Sequence, residues 1–355
     1  MSLSQDGFTA KTKGKDYTPL LNEVKVVLNR AQSKNRRLQA SYIMESLGKK
    51  TLNTSQAEFV CYSKLRTLIQ LSQAGVPVPK TVFVPCDAVD VMKNGKEIHN
   101  EKDIADLFTQ NLSLDEGIVV KADAGTHGKM IMLSQTREEL EENIKETKVG
   151  IINPVGVVAQ QLIKKWFYDL RVIVFKEKGK SSVCYNTAMA RAGFKDFRTN
   201  TFLGNLVFHA KLPQKIQEIA IKCGETLGKG SDAYIFALDA MVNVGENKNA
   251  NEATLKQQLD SASQAWLPVQ KVKQAETRLT DFPTWNSKLE GAFKTYKENP
   301  AYQCVTDIIE KSVDENQGTL VFHESNSCPE FWENTRLATG LNIAEPLLKM
   351  ATSLI

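Results

Sequence analysis

A chain of 355 residues with 42% hydrophobic and 24% charged side chains is long enough for about two domains and apolar enough to bury a sizeable core. Its net charge of +4 is too small to make nucleic acid the main partner, and no apolar run reaches the ~18–20 residues a membrane-spanning helix needs. Six scattered cysteines with no C-x-x-C pair, and four isolated histidines, argue against a disulfide framework, a structural zinc site or a histidine-based metal centre.

The opening MSLSQDGFTAKTKGK lacks the apolar stretch of a secretory signal, so a cytoplasmic protein is expected. Residues 1–20 are polar and expected to be mobile. Basic residues gather early: Lys11, Lys13, Lys15, Lys25, Arg30, Lys34, Arg36 and Arg37 face only Asp16 and Glu23. Such an arm is either solvated or docks an acidic partner or a phosphate. Val24–Leu28 reads as a strand, Gln32–Leu47 as a helix stopped by Gly48, and Thr51–Leu52 as a short strand. Asn53, Thr54 and Ser55 form an N-cap cluster for a helix over Gln56–Ala74, which carries Lys64 and stops at Gly75. Prolines then break the helix ahead of a strand at Thr81–Val84, and Asn100–Asn111 is a short amphipathic helix.

Gly117–Leu133, GIVVKADAGTHGKMIML, reads as strand, glycine loop, strand. Gly125 and Gly128 frame Thr126 and His127, and Lys121 and Lys129 flank the loop. Backbone N–H groups in such a loop can converge on one anion, although an ordinary glycine hairpin has the same outline. Thr136–Lys148 is a Glu-rich helix, Val155–Ile163 a buried strand ending in Gln160, Gln161, Leu162 and Ile163, and Asp169–Phe175 a strand bearing Arg171. Ser181–Ala190 is its hairpin partner, and Arg191–Asn205 is a polar loop. Pro213–Leu227 is a helix and Tyr234–Val242 a strand carrying Asp239. Residues 243–300 are rich in Asn, Gln, Lys and Ser and read as an insertion or lid, with helices near Glu252–Ser263 and Trp285–Tyr296. Trp266, Trp285 and Tyr296 either line a substrate wall or anchor this lid to the core. Thr319–Glu324 is the last strand, and a helix begins near Ile343. Irregular alternation with several hairpins favours a mixed α/β (α+β) architecture over a doubly wound parallel sheet.

Three groupings carry chemistry. Asp239 interrupts an apolar strand, where an unpaired charge is costly, and Glu324 and Asn326 lie two apart on one strand face. These hard oxygen donors suit Mg²⁺ with nucleotide phosphates better than zinc, though a strand-end carboxylate also caps turns. Arg171, Arg191 and Arg198 can bind phosphate or carboxylate, or Arg171 simply pairs with Asp169 at the surface. Gln160–Ile163 offers an extended backbone that can read an adenine edge, or is only a buried strand. No P-loop, G-x-G-x-x-G, G-x-S-x-G or H-E-x-x-H pattern is present.

The order Lys64, Lys121, Gly125–Lys129, Gln160–Ile163, Asp169–Arg171, Asp196–Asn200, Asp239 and Glu324–Asn326 resembles the ATP-grasp superfamily, and within it the RimK-like ligases, from about Asn53 to Ile355. The resemblance implies an ATP-grasp fold in which two α/β subdomains enclose the nucleotide. Residues 1–52 are then an arm and reduced leading α/β region, and 53–355 the ATP-grasp domain, with a central subdomain at about 75–163 and an insertion at about 244–318. It further implies Lys64 and Lys121 on ATP phosphates under a loop of Gly125, Thr126, His127, Gly128 and Lys129. Gln160, Gln161, Leu162 and Ile163 would be at adenine and Asp169 at the ribose side. Arg198, Thr199 and Asn200 would be near phosphate, and Asp239, Glu324 and Asn326 on Mg²⁺, or Mn²⁺ in its place. Arg171, Arg191 and Arg198 would be the catalytic arginines. The activity implied joins a small-molecule or peptide carboxylate to an amino-acid amine through an acyl phosphate, with no nucleic-acid or membrane partner and a homo-oligomer left open. An ATP-grasp kinase, or an inactive ATP-binding regulator or scaffold, is the alternative. Gln161 stands where the family usually has Glu, the Gln161–Asp169 spacing is tighter by one, and Ser327, Cys328, Pro329 and Glu330 replace the family's S-P-G.

Overall fold

The computed structural model describes residues 2–4, 7–85, 92–93, 96–97, 100–124, 130–147, 156–199, 201–245 and 250–355. Gly125, Thr126, His127, Gly128, Lys129 and Asn200 lie outside the described residues, so the expectations for the loop and for Asn200 stay as expectations.

The N-terminal stretch expected to be mobile forms two small hairpins, Ser2–Ser4 with Gly7–Thr9 and Lys11–Thr12 with Lys15–Asp16. Strand β1 (Val26–Leu28) then runs parallel to β2 (Lys50–Leu52), joined by helix α1 (Lys34–Ser46). Helix α1 is no solvated arm. Lys34, Arg37 and Ser41, at spacings of three and four, are its buried face. The single helix expected over Gln56–Ala74 is two, α2 (Ser55–Tyr62) and α3 (Lys64–Gln73), because Ser63 turns extended and caps α3 by accepting from Arg66 N–H.

The first sheet is antiparallel, with β3 (Thr81–Pro85), β4 (Ile118–Ala122), β5 (Ile131–Ser134) and β6 (Gly156–Gln161) in the order β5-β4-β6-β3. Alternation divides β4: Ile118 and Val120 pack on helices α4 (Glu101–Thr109) and α5 (Arg137–Thr147), and Val119 and Lys121 face the other way.

The second sheet is also antiparallel. Its strands β7 (Tyr168–Lys176), β8 (Thr187–Ala192), β9 (Leu206–Lys211), β10 (Tyr234–Val242) and β11 (Leu320–Asn326) take the order β9-β8-β7-β10-β11, with Val183–Cys184 added beside β7. Strand β9 was not read from the sequence. Arg191 and Ala192, expected in a loop, are the last residues of β8. One face of this sheet carries Leu170, Val172, Phe236, Leu238 and Phe322 into the main core, against helix α6 (Gln214–Leu227) and the inserted helices. The other face is split along its length. Ile173, Phe175, Ile235 and Ala237 pack on the C-terminal helix, while Asp169, Arg171, Asp239 and Met241 continue the same face as a polar wall.

The insertion is helical: α7 (Ala250–Lys273), α8 (Phe282–Lys297) and α9 (Pro300–Glu315), with a four-residue helix at Thr277–Thr280. Trp285 and Tyr296 are 0% exposed and Trp266 5%, which makes them core anchors and not a substrate wall. Trp266 meets Tyr296 edge-on at 4.9 Å, and Trp285 Nε1 donates to Val272 O at 2.8 Å. Trp285→Ala is therefore expected to lower stability by about 3–5 kcal/mol in a denaturant titration; a wall residue would instead move KM and leave the midpoint in place. Helices α10 (Thr335–Thr339) and α11 (Ala344–Ser353) close the chain. Among the described residues no helix is long and apolar enough to cross a membrane.

Candidate active site

The exposed wall of the first sheet and the polar wall of the second face each other across one cleft. Its lining includes Val119, Lys121, Ile131, Gln160, Gln161, Leu162 and Ile163 from the first sheet and its exit, and Lys165, Asp169, Phe197, Arg198, Thr199, Met241 and His323 from the second side. One end is therefore a narrow apolar slot, Val119, Ile131, Leu162, Ile163 and Met241, and the other is charged.

The slot has a polar edge. Gln161 N–H donates to Lys80 O and Leu162 N–H to Gly117 O, both at 3.0 Å, so these two amides are committed to the fold. The Gln161 side chain is committed as well: it accepts from Ser113 N–H at 2.8 Å and donates to Ser113 O and Gly117 O. What remains at the edge is the Ile163 amide, which makes no hydrogen bond among the described residues.

Lys64 and Lys121 reach the cleft from different elements. Lys64 opens α3, and its ammonium donates to Ala122 O at 3.2 Å and Asp123 O at 3.4 Å. Asp123 ties β4 to the start of α3 by accepting from Leu65 N–H at 2.8 Å and Ser63 Oγ at 3.0 Å. The ammonium of Lys121 donates to Gln160 Oε1. Burial pushes Lys64 down to about 8, and burial together with the Lys64 charge does the same to Lys121.

The acids lie opposite. Arg191 donates to Asp169 through Nε at 2.7 Å and Nη2 at 2.9 Å, and its Nη2 is 3.2 Å from Asp239 Oδ2. Arg171 grips Asp239 bidentately, both bonds 2.9 Å. The pairing of Arg171 with Asp169 considered from sequence is not made. Cross-strand register decides this, because Arg171 sits opposite Asp239 and Asp169 opposite Arg191. Burial would raise Asp169, but Arg191 and Lys165 hold it well below the usual carboxylate range; Arg171 and Arg191 do the same for Asp239. Burial pulls the Arg191 guanidinium down, and Asp169 and Asp239 more than restore it.

Strand β11 contributes through a β-bulge. Ala240 pairs with Phe322 but Asp239 with Glu324, so His323 is the extra residue and Glu324 lies directly across from Asp239. Asn326 Nδ2 donates to Asp239 Oδ2 at 3.4 Å. Glu324 Oε1 takes the ammonium of Lys34 at 3.2 Å, and although burial opposes ionisation, Lys34 and Lys64 bring Glu324 down to about 2. His323 Nε2 is buried with no partner among the described residues, and burial holds this imidazole at about 4, neutral at physiological pH.

Arg198 and Thr199 line the same cleft. Arg198 is held by Asp196, and Thr199 Oγ1 accepts from Lys165 at 3.0 Å. Sequence reasoning missed Lys165, Met241 and His323, and named Lys34 only as one member of the basic arm. Met241 was legible as the residue two after Asp239 on one strand face. The pairing of Lys34 with Glu324 had no local signal, the two being 290 residues apart.

Two antiparallel sheets around a cleft that is apolar at one end and lysine-rich and acidic at the other define an ATP-grasp enzyme. Comparison with known proteins agrees. Residues 63–253 match the RimK-like ATP-grasp domain. Over 214 residues the chain is 25% identical to the alpha-aminoadipate–LysW ligase LysX of Sulfurisphaera tokodaii, covering 60% of this chain and 67% of that ligase. It is 29% identical over 184 residues to the ribosomal protein bS6–L-glutamate ligase of Salmonella paratyphi B, covering 52% of this chain and 54% of that ligase. The D-Ala:D-Ser ligase VanG of Enterococcus faecalis shares the fold, with a TM-score of 0.55, 13% identity, and coverage of 94% of this chain and 73% of that one. The chain belongs to the RimK-like ATP-grasp family and is a ligase of that class.

Proposed function

We propose that this ligase joins an amino-acid amine to a carboxyl group of a peptide, protein or small molecule, with ATP cleaved to ADP and phosphate by way of an acyl phosphate. The observation that carries the reading is the convergence at one end of the cleft: Asp239 and Glu324 face each other across adjacent strands, Asn326 bonds Asp239, and Lys64 and Lys121 stand opposite. Two relatives, named for joining alpha-aminoadipate with LysW and L-glutamate with ribosomal protein bS6, support the substrate class.

The apolar slot suits adenine, with the Ile163 amide and the Gln161 carbonyl available to its edge. Lys64 and Lys121 suit the phosphates, and the Gly125–Lys129 loop and Asn200, expected from sequence to serve them as well, belong to this proposal. Arg198 and Thr199 complete that wall, with Asp169 towards the ribose. The oxygen donors fit the divalent cation that the family uses. The donors proposed for it are the Asp239 and Glu324 carboxylates and the amide oxygen of Asn326, whose Nδ2 donates to Asp239. Held there, Mg²⁺ would neutralise charge on the phosphate oxygens. Arg171 and Arg191, fixed by their carboxylates, present a preorganised positive surface to the transferring phosphoryl group. Residues 53–355 act as the nucleotide-enclosing unit, with the leading segment docked on it.

The acyl phosphate is testable with hydroxylamine in place of the amine. Incubation with ATP, Mg²⁺ and a panel of amino acids and short peptides should yield a hydroxamate with the true carboxylate. ADP release without hydroxamate would point to a kinase. A second expectation concerns pH. Phosphate contacts need charged ammonium groups, and Lys64 and Lys121 titrate at about 8. ATP affinity should therefore hold below about pH 8 and fall as pH rises through it, with proton uptake on binding. Calorimetry in two buffers of different ionisation enthalpy measures that uptake directly, and a value of zero at pH 8 contradicts the assignment.

A further inference from the structure

The basic segment before Asn53 is not used by the reading above, yet it reaches the charged end of the cleft. Resting on that reading, we propose that Lys34 is a third ammonium of the triphosphate site and contacts the terminal, γ-phosphate end of ATP.

Lys34 is placed by rigid parts. Its helix buries Lys34, Arg37 and Ser41 along one face, so the inward side of α1 is polar and must be satisfied by specific partners. Arg37 donates to Glu58 at 3.2 Å and to Ala31 O at 2.8 Å, and Glu58 accepts from Ser327 Oγ at 2.7 Å, one residue beyond Asn326. Arg30 donates to Pro329 O at 2.7 Å and lies over the Phe331 ring at 4.7 Å. The segment is therefore clamped to the chain leaving β11, and the Lys34 side chain is only 7% exposed.

Position along the cleft says which phosphate it meets. Strand β11 runs from Val321, opposite Met241 of the base slot, to Glu324, opposite Asp239. Lys34 meets Glu324, at the end away from the base. Lys121 lines the cleft beside the slot, and Lys34 does not. Lys34 donates to Glu324 at 3.2 Å, Lys64 donates to Ala122 O at 3.2 Å and Lys121 lines the cleft, so three buried ammonium groups from three elements serve this side of the site. Three ammonium groups fit a polyphosphate, and the one at Glu324 fits the terminal group.

The test compares Mg²⁺-dependent binding of ADP with that of the β,γ-imido analogue of ATP, in the full chain and in Lys34→Met. The variant should lose about tenfold in affinity for the imido analogue, the low end of what one charge-assisted contact supplies, while ADP affinity stays within about twofold. Lys34→Arg should recover most of the loss. Unchanged ADP affinity also certifies the fold. If Lys34→Met does not fold, Lys34→Gln, which keeps an uncharged polar group at this position, is read in the same way. Equal weakening of both ligands, or of neither, overturns the role of Lys34 while leaving the nucleotide reading intact. A wild-type chain that binds neither nucleotide overturns both.

Discussion

Glu324→Gln should lower turnover by about 10²–10³-fold with little change in melting temperature. The glutamine keeps an oxygen for the Lys34 ammonium, so the packing around the bulge survives. What it loses is the negative charge that Lys34 and Lys64 hold ionised down to about pH 2, and with it the ligand proposed for the metal. Losing preorganised charge stabilisation commonly costs that much in rate. Steady-state kinetics beside a thermal melt decides the matter. A variant that keeps more than about a tenth of the wild-type rate means Glu324 is not a metal ligand.

Arg191→Ala should act on the fold itself. Arg191 and Asp169 are 3% and 5% exposed, and Arg191 makes two bonds to Asp169 and a close contact with Asp239. Removing it leaves a buried aspartate uncompensated, which typically costs about 3–5 kcal/mol, a large share of a folding free energy of about 5–15 kcal/mol. Arg171→Ala should cost less, because Arg171 is 15% exposed and Asp239 keeps Arg191. Urea titration of the two variants gives the comparison, and equal midpoints would contradict the proposed network. The acid limb of the wild-type curve follows from the same contacts. Asp169 and Asp239 are depressed below the ordinary value of 3.8 in the folded chain, so their stabilisation is complete above that value. It is lost as pH falls through their folded values.

The parts of the site that lie on single strands were legible in sequence, because local pattern fixes them. Two strands flanking a glycine loop, Asp239 inside FALDAMV, and Glu324 two residues before Asn326 all follow from alternation alone. What crosses between elements was not legible. Arg171 goes to Asp239 and Asp169 to Arg191 because of register between β7 and its two neighbours, which no single segment encodes. The bulge at His323 cannot be seen without its partner strand, and Lys34 meets Glu324 only through tertiary packing of α1. In the insertion, the expected helices near Glu252–Ser263 and Trp285–Tyr296 fall within α7 and α8, while α9 was not read from the sequence. Trp285, Leu289, Phe293 and Tyr296 mark one buried face at helical spacing along α8, which is why that helix was legible. The helix break at Ser63 was missed because its capping hydroxyl competes with an otherwise continuous helical pattern.

These pairings also bear on mechanism. Each buried carboxylate of the site rests on a cation from a different element: Asp169 on β8, Asp239 on β7 and β8, and Glu324 on α1. The acids are thus held ionised and in place before any ligand arrives, the preorganisation that charge-stabilising catalysis needs. The buried Asn53 bonds Ile235 and Ser327, which fastens the leading segment to both β10 and the chain after β11.

The central claim is that this cleft couples ATP cleavage to formation of a carbon–nitrogen bond, and Mg²⁺-dependent ADP release across a matrix of amino acids and short peptides tests it most directly. The expected result is stimulation by one carboxylate and one amine together, with ADP and phosphate released in equal amounts and an amide of the summed mass. Stimulation by a single substrate with a stable phosphorylated product, or nucleotide binding with no stimulated release anywhere in the matrix, would contradict it.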